Sequence, residues 1–483
     1  MNTALKSSVM LTAGRCAAFL PTFFIPVVLA RALDPAQFGT YKQVFLVYST
    51  LYLIAQLGMA ESLFYFLPRD PRGAGRLAAN SVAFLAAAGA GAGLVLAAGA
   101  SAVSGWLGNP ALVVGLRLAG IFLFLTMAAA PLEIILISRG RHSAAALSYF
   151  LSDALRAFCL IAPGLLFRDV TWLLAGAIAF GLARLGALIG VLGWEFGGGV
   201  RPNPVLLGRQ LAYALPFGSA VLVEILQGQL HQYAVSIRYD AATFAVYAVG
   251  CLQIPFVEFV AGPACNLMMV EMGEKLGAGD RRGALAAWHE TTVRIALIVV
   301  PAVAALLIGG RELILLLFSE RYAASVPIFL VWSTALLPGV LQTDGVLRAF
   351  AQTRFLFLMN LLRLALIAAT IGWLLSAFGL PGAALATICA LAAGKAAALL
   401  RIARLFGVGL REILPWRALG GILSAAAVAG LPALLLKEGV RLPILPMLLA
   451  VLACYGAAYA ALLGPLRIFA RAVRQPVSGA LAR

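Results

Sequence analysis

The chain has 483 residues, of which 63% are hydrophobic and 11% charged. A soluble domain carries about 25% charged residues, so this composition excludes a soluble protein and leaves no room for a separate soluble domain. The formal net charge of +17 sits mostly in short segments between apolar stretches, a distribution that points to a membrane topology and away from a nucleic-acid partner.

Apolar stretches of about 18 or more residues, each long enough to cross a ~30 Å hydrocarbon layer, recur along the whole length. They predict about fourteen transmembrane helices, at 7–30, 40–67, 77–103, 113–137, 143–167, 171–194, 210–236, 243–270, 291–308, 326–347, 355–377, 381–400, 418–436 and 443–464. The first is a true span and not a removed signal, because the apolar run that follows Lys6 continues past Leu29 with no cleavage pattern. Turn and charge signals separate the spans, among them Arg69-Asp70-Pro71-Arg72, Gly108-Asn109-Pro110, Gly197-Gly198-Gly199 and Pro202-Asn203-Pro204. With the N-terminus inside, the inner segments hold about 21 Lys and Arg and the outer segments about 7. That bias sets both termini in the cytoplasm. The cysteines (Cys16, Cys159, Cys251, Cys265, Cys389 and Cys454) are scattered through apolar segments without paired spacing, and read as small buried residues.

The two halves resemble each other at an offset of 206 residues. Asp34-Pro35-Ala36-Gln37-Phe38-Gly39-Thr40-Tyr41 follows the first span, and Asp240-Ala241-Ala242-Thr243-Phe244-Ala245-Val246-Tyr247 follows the seventh. Asp, Ala, Phe and Tyr coincide, whereas Ala241 and Ala245 stand where the first copy has Pro35 and Gly39. The same offset pairs Arg69 with Lys275 and Arg76 with Arg282. An even number of spans per repeat gives both halves the same direction, hence a parallel repeat. The expected fold is an all-α polytopic membrane protein. It has two parallel six-helix bundles around a central cleft, residues 1–200 and 201–410, plus two C-terminal helices and a cytoplasmic tail in 411–483.

The stretch Arg31-Ala32-Leu33-Asp34-Pro35-Ala36-Gln37-Phe38-Gly39-Thr40-Tyr41 resembles the loop after the first helix in the polysaccharide-transporter, Wzx-like O-antigen flippases of the multidrug/oligosaccharidyl-lipid/polysaccharide exporter superfamily. Tyr247-Ala248-Val249-Gly250, Glu274-Lys275-Leu276-Gly277-Ala278-Gly279-Asp280 and Leu316-Leu317-Phe318-Ser319-Glu320-Arg321-Tyr322 are similar to other segments of that family. The resemblance covers nearly the whole chain. It implies a flippase that moves an undecaprenyl-diphosphate-linked oligosaccharide across the bacterial cytoplasmic (inner) membrane by alternating access. It places the chain in the synthesis of lipopolysaccharide O-antigen or exopolysaccharide, among membrane lipids and beside a polysaccharide polymerase and chain-length regulator. No cofactor is implied. The intramembrane charges match no motif of the family, so their roles come from residue chemistry alone.

A charge at mid-bilayer costs at least ~2.5–3.5 kcal/mol on insertion scales, so it faces a cavity or a partner. Arg15, Arg156, Arg184, Arg363 and Lys395 fall inside predicted spans, and cations suit a diphosphate because guanidinium makes paired, charge-assisted bonds to phosphate oxygens. Arg184 has no acid within one helical turn and is the best cavity candidate, with Arg15 comparable. Arg156 has Asp153 three residues before it, so a neutral pair and a ligand group stand equal. Arg363 and Lys395 lie where snorkelling to the cytoplasm competes with ligand binding. Lysine is rare even in the loops, so a codon preference accounts equally well for arginine over lysine.

Glu224, Gln227 and His231 share one face of the seventh span. They read either as a polar cleft that relays a coupling cation or as interhelical hydrogen bonding. Glu133 and Glu258 are further intramembrane acids. Asp344 and Arg348, four residues apart, read as a structural pair. Tyr48, Tyr52 and Gln56 share a face of the second span, for packing or for sugar stacking, and Pro255 and Pro263 are expected to kink the eighth. Three histidines in separate segments make no metal site, and no nucleotide or nucleophile motif is present. A transporter, not an enzyme, is the reading. The alternatives are a cation-coupled multidrug exporter and a membrane-embedded polymerase, the latter disfavoured by short outer loops.

Overall fold

The computed structural model describes residues 19–197, 201–254 and 256–463, without the side chains of 216, 217, 219–221 and 256–258. Its α-helices in chain order are α1 (Phe19–Ala32), α2 (Pro35–Gln56), α3 (Met59–Phe66), α4 (Ala74–Trp106), α5 (Leu112–Ala128), α6 (Leu132–Ser138), α7 (His142–Phe167), α8 (Val170–Phe196) and α9 (Pro204–Arg238). They continue as α10 (Ala241–Gly250), α11 (Phe256–Gly277), α12 (Arg281–Phe318), α13 (Val326–Ser333), α14 (Thr343–Ala349), α15 (Thr353–Phe378), α16 (Leu380–Phe406), α17 (Trp416–Gly439) and α18 (Ile444–Leu463). Two 3-10 stretches, Glu320–Ser325 and Thr334–Leu341, flank α13. The described residues contain no strand. In lipid the backbone must satisfy its own polar groups, and helices do so within one segment. The protein is an all-α polytopic membrane protein.

By length and apolar character, ten described helical segments are able to cross a bilayer, and the bent pair α2–α3 makes an eleventh. Three of the fourteen expected spans do not meet that measure. Most of the first lies outside the described residues. The seventh, α9, is long but carries Arg209, Gln210, Glu224, Gln227, Gln229, His231 and Gln232. The eighth is split, because α10 stops at Gly250 and α11 begins at Phe256. Pro255 lies outside the described residues, and Pro263 sits inside α11.

The repeated motif has a structural role that the positions shared by its two copies explain. Asp34 caps α2: its Oδ1 accepts the Gln37 backbone N–H at 2.9 Å, and Gln37 Oε1 accepts the Asp34 N–H at 3.4 Å. Asp240 does the same for α10, accepting the Thr243 N–H at 2.8 Å. A side-chain acceptor here satisfies a helix-end donor that lacks a partner in the helix. These bonds from the Thr243 hydroxyl and N–H hold the Asp240 carboxyl below its usual pKa. The matched Phe38 and Phe244 are fully buried, as is Tyr247, with Tyr41 nearly so. Gly39 lies against the Ala241 carbonyl, where any side chain would collide.

Contacts divide the chain into two compact units, Met1–Ala248 and Val249–Arg483. The division falls later than the 200/201 boundary expected from the repeat, because α9 packs on α2, α3 and α4. Polar seams hold it there. Asn80 Nδ2 donates to Gln210 Oε1 at 3.1 Å, and Gln43 Nε2 donates to Ser236 Oγ at 2.9 Å. In the same unit α4 and α5 approach at Gly93 and Gly120, whose backbones touch. Lipid supplies no hydrophobic drive between helices, so such small-residue approach is what packs them.

In the second unit, α17 presents Ile422, Ala425, Ala426, Ala429 and Ala433 to a core shared with α12 and α18. The two C-terminal helices therefore have no core separate from α12. A second cluster gathers Met268, Trp288, Val346, Met359 and Ile402 from α11, α12, α14, α15 and α16. Large apolar side chains such as Leu166, Leu94 and Leu435 stay exposed, at 76%, 71% and 69%. That is the surface of a protein dissolved in hydrocarbon.

Candidate functional site

Among the described residues, each unit contains a cluster of charge drawn from several helices. In the first, Glu133 of α6 is 3% exposed, and both its oxygens are engaged. Arg184 of α8 donates from Nη2 to Oε2 at 2.6 Å, and Ser148 of α7 donates to Oε1 at 3.0 Å. Asp153 and Arg156 of α7 lie within electrostatic reach, Asp153 feeling Arg156, Arg184 and Glu133. Two carboxylates thus face two guanidinium groups and balance them. Arg156 Nε is buried without a hydrogen-bond partner among the described residues. Arg184, expected to be the cation most open to a ligand, is instead committed to an acid distant in sequence.

Beside this cluster runs an aromatic ladder on α2. Tyr48 stacks on Phe122 at 4.8 Å between ring centres and on Tyr52 at 5.9 Å. Its hydroxyl lies 3.0 Å from Thr126 Oγ1. Thr126 already donates to the Phe122 carbonyl at 2.8 Å, so Tyr48 is the donor. Its burial makes Tyr48 a packing residue.

The face of α9 divides by depth. Glu224 is exposed, Gln227 half-buried and His231 1% exposed. His231 Nδ1 shares a 2.7 Å hydrogen bond with the Tyr247 hydroxyl of the repeated motif. No group of acids, histidines or cysteines among the described residues is placed to hold a metal ion. Arg15 lies outside the described residues, and so does the side chain of Glu258.

The cluster in the second unit is built on a broken span. Pro338 and the 3-10 stretch interrupt regular helix, and Gln342 turns left-handed at φ 45°. Breaks of this kind occur at membrane depth only where neighbours satisfy the freed backbone. Trp288 Nε1 supplies one such bond, to the Leu341 carbonyl at 2.7 Å. α14 starts afresh directly after the break and carries Asp344.

Asp344 Oδ1 receives Lys395 Nζ of α16 at 3.2 Å and lies 3.9 Å from Arg363 Nη2 of α15. Lys395 also donates to Thr343 Oγ1 at 2.9 Å. These ion pairs correct the expected Asp344–Arg348 pairing, since Arg348 is exposed. Arg363 is 6% exposed and lies across Gly394. Its Nε is buried without a hydrogen-bond partner among the described residues. Among the described side chains one carboxylate here faces two cations, an excess of positive charge that the first cluster lacks. The pairing of Asp344 with Lys395 and Arg363 is what sequence reading missed, because nearness along the helix favoured Arg348. The Pro338-Gly339 pair was the signal that the helix breaks before Asp344.

Elsewhere, the described residues line an open pocket of about 670 Å³ at one end of α12, α17 and α18. Lys437 in its wall is already bonded to Glu312 at 2.8 Å and to the Ile308 carbonyl at 2.9 Å.

A helical membrane body with broken spans and buried charge inside each unit defines the class: a polytopic membrane protein. Within that class the chain belongs to the polysaccharide biosynthesis protein family, whose model matches residues 28–327. Its fold is similar to that of the lipid II flippase MurJ in an inward closed conformation, with TM-score 0.70, 13% identity, and 97% of this chain and 99% of that one covered. It is also similar to a MOP superfamily transporter from Pyrococcus furiosus, with TM-score 0.58, 14% identity, and 83% and 95% covered. A eukaryotic MATE transporter, AtDTX14, gives TM-score 0.56, 13% identity, and 87% and 97% covered. At these identities the likeness is one of fold. No curated protein matches the chain.

Proposed function

We propose that this protein is a flippase for an undecaprenyl-diphosphate-linked oligosaccharide, carrying it from the inner to the outer leaflet of the bacterial cytoplasmic membrane with both of its own termini in the cytoplasm. It works by alternating access, and the product feeds a polymerase and chain-length regulator that build O-antigen or exopolysaccharide. The observation that carries the reading is the cationic excess of Arg363 and Lys395 over Asp344 inside the membrane. Such a site costs free energy unless an anion completes it. A diphosphate headgroup supplies that anion, while the polyprenyl chain stays in lipid. The family match supports a polysaccharide substrate. The similar fold of a protein named as a lipid II flippase supports a lipid-linked one.

The multidrug-exporter alternative shares the fold of the MATE structures. A cationic drug is repelled by the same excess charge, which favours the anionic substrate. The test is deletion of the gene in a strain without a paralogue. Surface polysaccharide is expected to disappear and lipid-linked repeat units to accumulate facing the cytoplasm, with no change in drug resistance. Complementation with R363Q/K395Q is expected to fail. Normal surface polysaccharide in the deletion strain overturns the proposal.

A further inference from the structure

We propose that Asp344 is a built-in counter-ion, occupying the Arg363–Lys395 pair until the phosphate groups of a ligand replace it. The inference rests on the anionic-substrate reading above and adds a residue that the reading does not require.

The first argument is exposure. The side chains of Arg363 and Lys395 are 8% and 12% exposed, whereas that of Asp344 is 41% exposed. The carboxylate therefore stands on the open side of the two cations, where an arriving anion would have to go. The second argument is incomplete bonding. Arg363 has five N–H donors, yet its oxygen contacts are Asn360 Oδ1 at 3.4 Å and Asp344 Oδ1 at 3.9 Å, beyond good hydrogen-bond distance. Its Nη2 otherwise meets the Met359 sulfur at 3.8 Å, and Nε has no partner among the described residues. Arg184 in the first unit, by contrast, makes a 2.6 Å bond. As placed, Asp344 bonds the ammonium and leaves the guanidinium without a close oxygen, while a diphosphate carries enough oxygens to serve both.

The third argument is that Asp344 can leave without its partners. It rides on α14, a helix of seven residues. The non-glycine residues Gln342 before it and Ala351 after it have φ of 45° and 54°. Left-handed backbone at such residues persists only where the surroundings impose it, and α14 is held by the buried Val346 and Leu347, so the carboxylate leaves by turning its side chain. The cations ride on the long helices α15 and α16. A turn of the half-exposed Asp344 side chain therefore removes the carboxylate and leaves the cation pair in place.

The experiment uses the full chain purified in detergent, titrated with inorganic pyrophosphate in magnesium-free buffer. Wild type is expected to bind weakly, because only the fraction with Asp344 displaced is competent. D344N is expected to bind about tenfold more tightly. D344E keeps the charge and is expected to match wild type, while R363Q/K395Q is expected not to bind. Should D344N fail to fold, Thr343→Val takes its place. That change removes a hydroxyl that donates to Asp344 at 3.0 Å and accepts from Lys395, and tighter binding is again expected. D344N or T343V affinity equal to or below wild type overturns the counter-ion role, as does equal behaviour of D344E and D344N. If R363Q/K395Q still abolishes binding in that event, the anionic-substrate reading stands. Absence of binding in wild type and D344N alike overturns both.

Discussion

Arg184 and Glu133 meet at 2.6 Å although 51 residues separate them in the chain. Glu133 is 3% exposed, and its second oxygen is held by Ser148. Removing one partner of such a buried pair leaves an uncompensated charge, at a cost of about 3–5 kcal/mol. R184Q and E133Q are each expected to lower the midpoint of thermal unfolding in detergent sharply. The double variant R184Q/E133Q is expected to lose less than the two added together, since contacting residues couple. Strict additivity would show that the pair is not formed in solution.

That pair also marks where sequence reading reached its limit. The membrane class, the helical segments and the repeat were legible because length, apolarity and short-range spacing are local properties. The repeat even located Asp34 and Asp240, which cap α2 and α10 in the same way. Partners across helices were not legible. Asp344 has a cation four residues away at Arg348, and the helix rule selected it, but the break at Pro338 and Gln342 redirects the carboxylate to Lys395. Arg184 showed no acid within a turn, so it read as open, while Glu133 lay two helices earlier. Tertiary packing decides which buried charges pair, and at Arg184 it leaves no local trace in the chain.

The two capping aspartates make a matched prediction. D34A and D240A are each expected to cost about 1 kcal/mol, whereas Asn keeps the side-chain acceptor and is expected to be nearly neutral. The check is thermal unfolding of the four variants at neutral pH. Acid has the same direction as alanine at Asp240. Its pKa is held down by the Thr243 bonds, so the stabilisation is present above the unfolded-state pKa and lost as pH falls through the lower folded value. Because Asp240 is exposed, the pH effect is expected to be small, and D240N is expected to abolish it.

The polar seam between α2 and α9 gives a third. Asn109 Nδ2 donates to Gln43 Oε1 at 2.7 Å and to Thr40 Oγ1 at 2.9 Å, and Gln43 Nε2 donates to Ser236. Gln43 is fully buried. Q43L leaves the Asn109 amide and Ser236 hydroxyl without these partners, which is expected to cost about 1–3 kcal/mol. S236A alone removes only one bond to Gln43 and is expected to cost less. Unfolding midpoints for Q43L, S236A and Q43L/S236A check this. The second substitution is expected to be nearly free once Gln43 is gone, because the hydroxyl no longer has a buried partner to lose.

Gly394 sets the position of Arg363. A methyl group at Gly394 would collide with Arg363 Nε and crowd its Cγ and Cδ. Those atoms belong to the stem of the side chain, not its far end, so the arginine cannot avoid the clash without moving its guanidinium. G394A is expected to cost about 1–3 kcal/mol, the range for overpacking a filled interior. R363A alone costs stability through its own lost contacts, but it removes the obstacle, so G394A in an R363A background is expected to be nearly neutral. Glycine's backbone freedom does not account for such a result, because Gly394 lies inside regular helix α16, where alanine is intrinsically the better residue. Thermal unfolding of the four proteins decides the matter. An equal penalty for G394A with and without Arg363 would mean that the glycine serves the helix pair and not the cation. A penalty confined to the arginine-bearing chain would make Gly394 the residue that seats Arg363 over Asp344. In that case G394A is also expected to reduce surface polysaccharide by more than its stability loss explains.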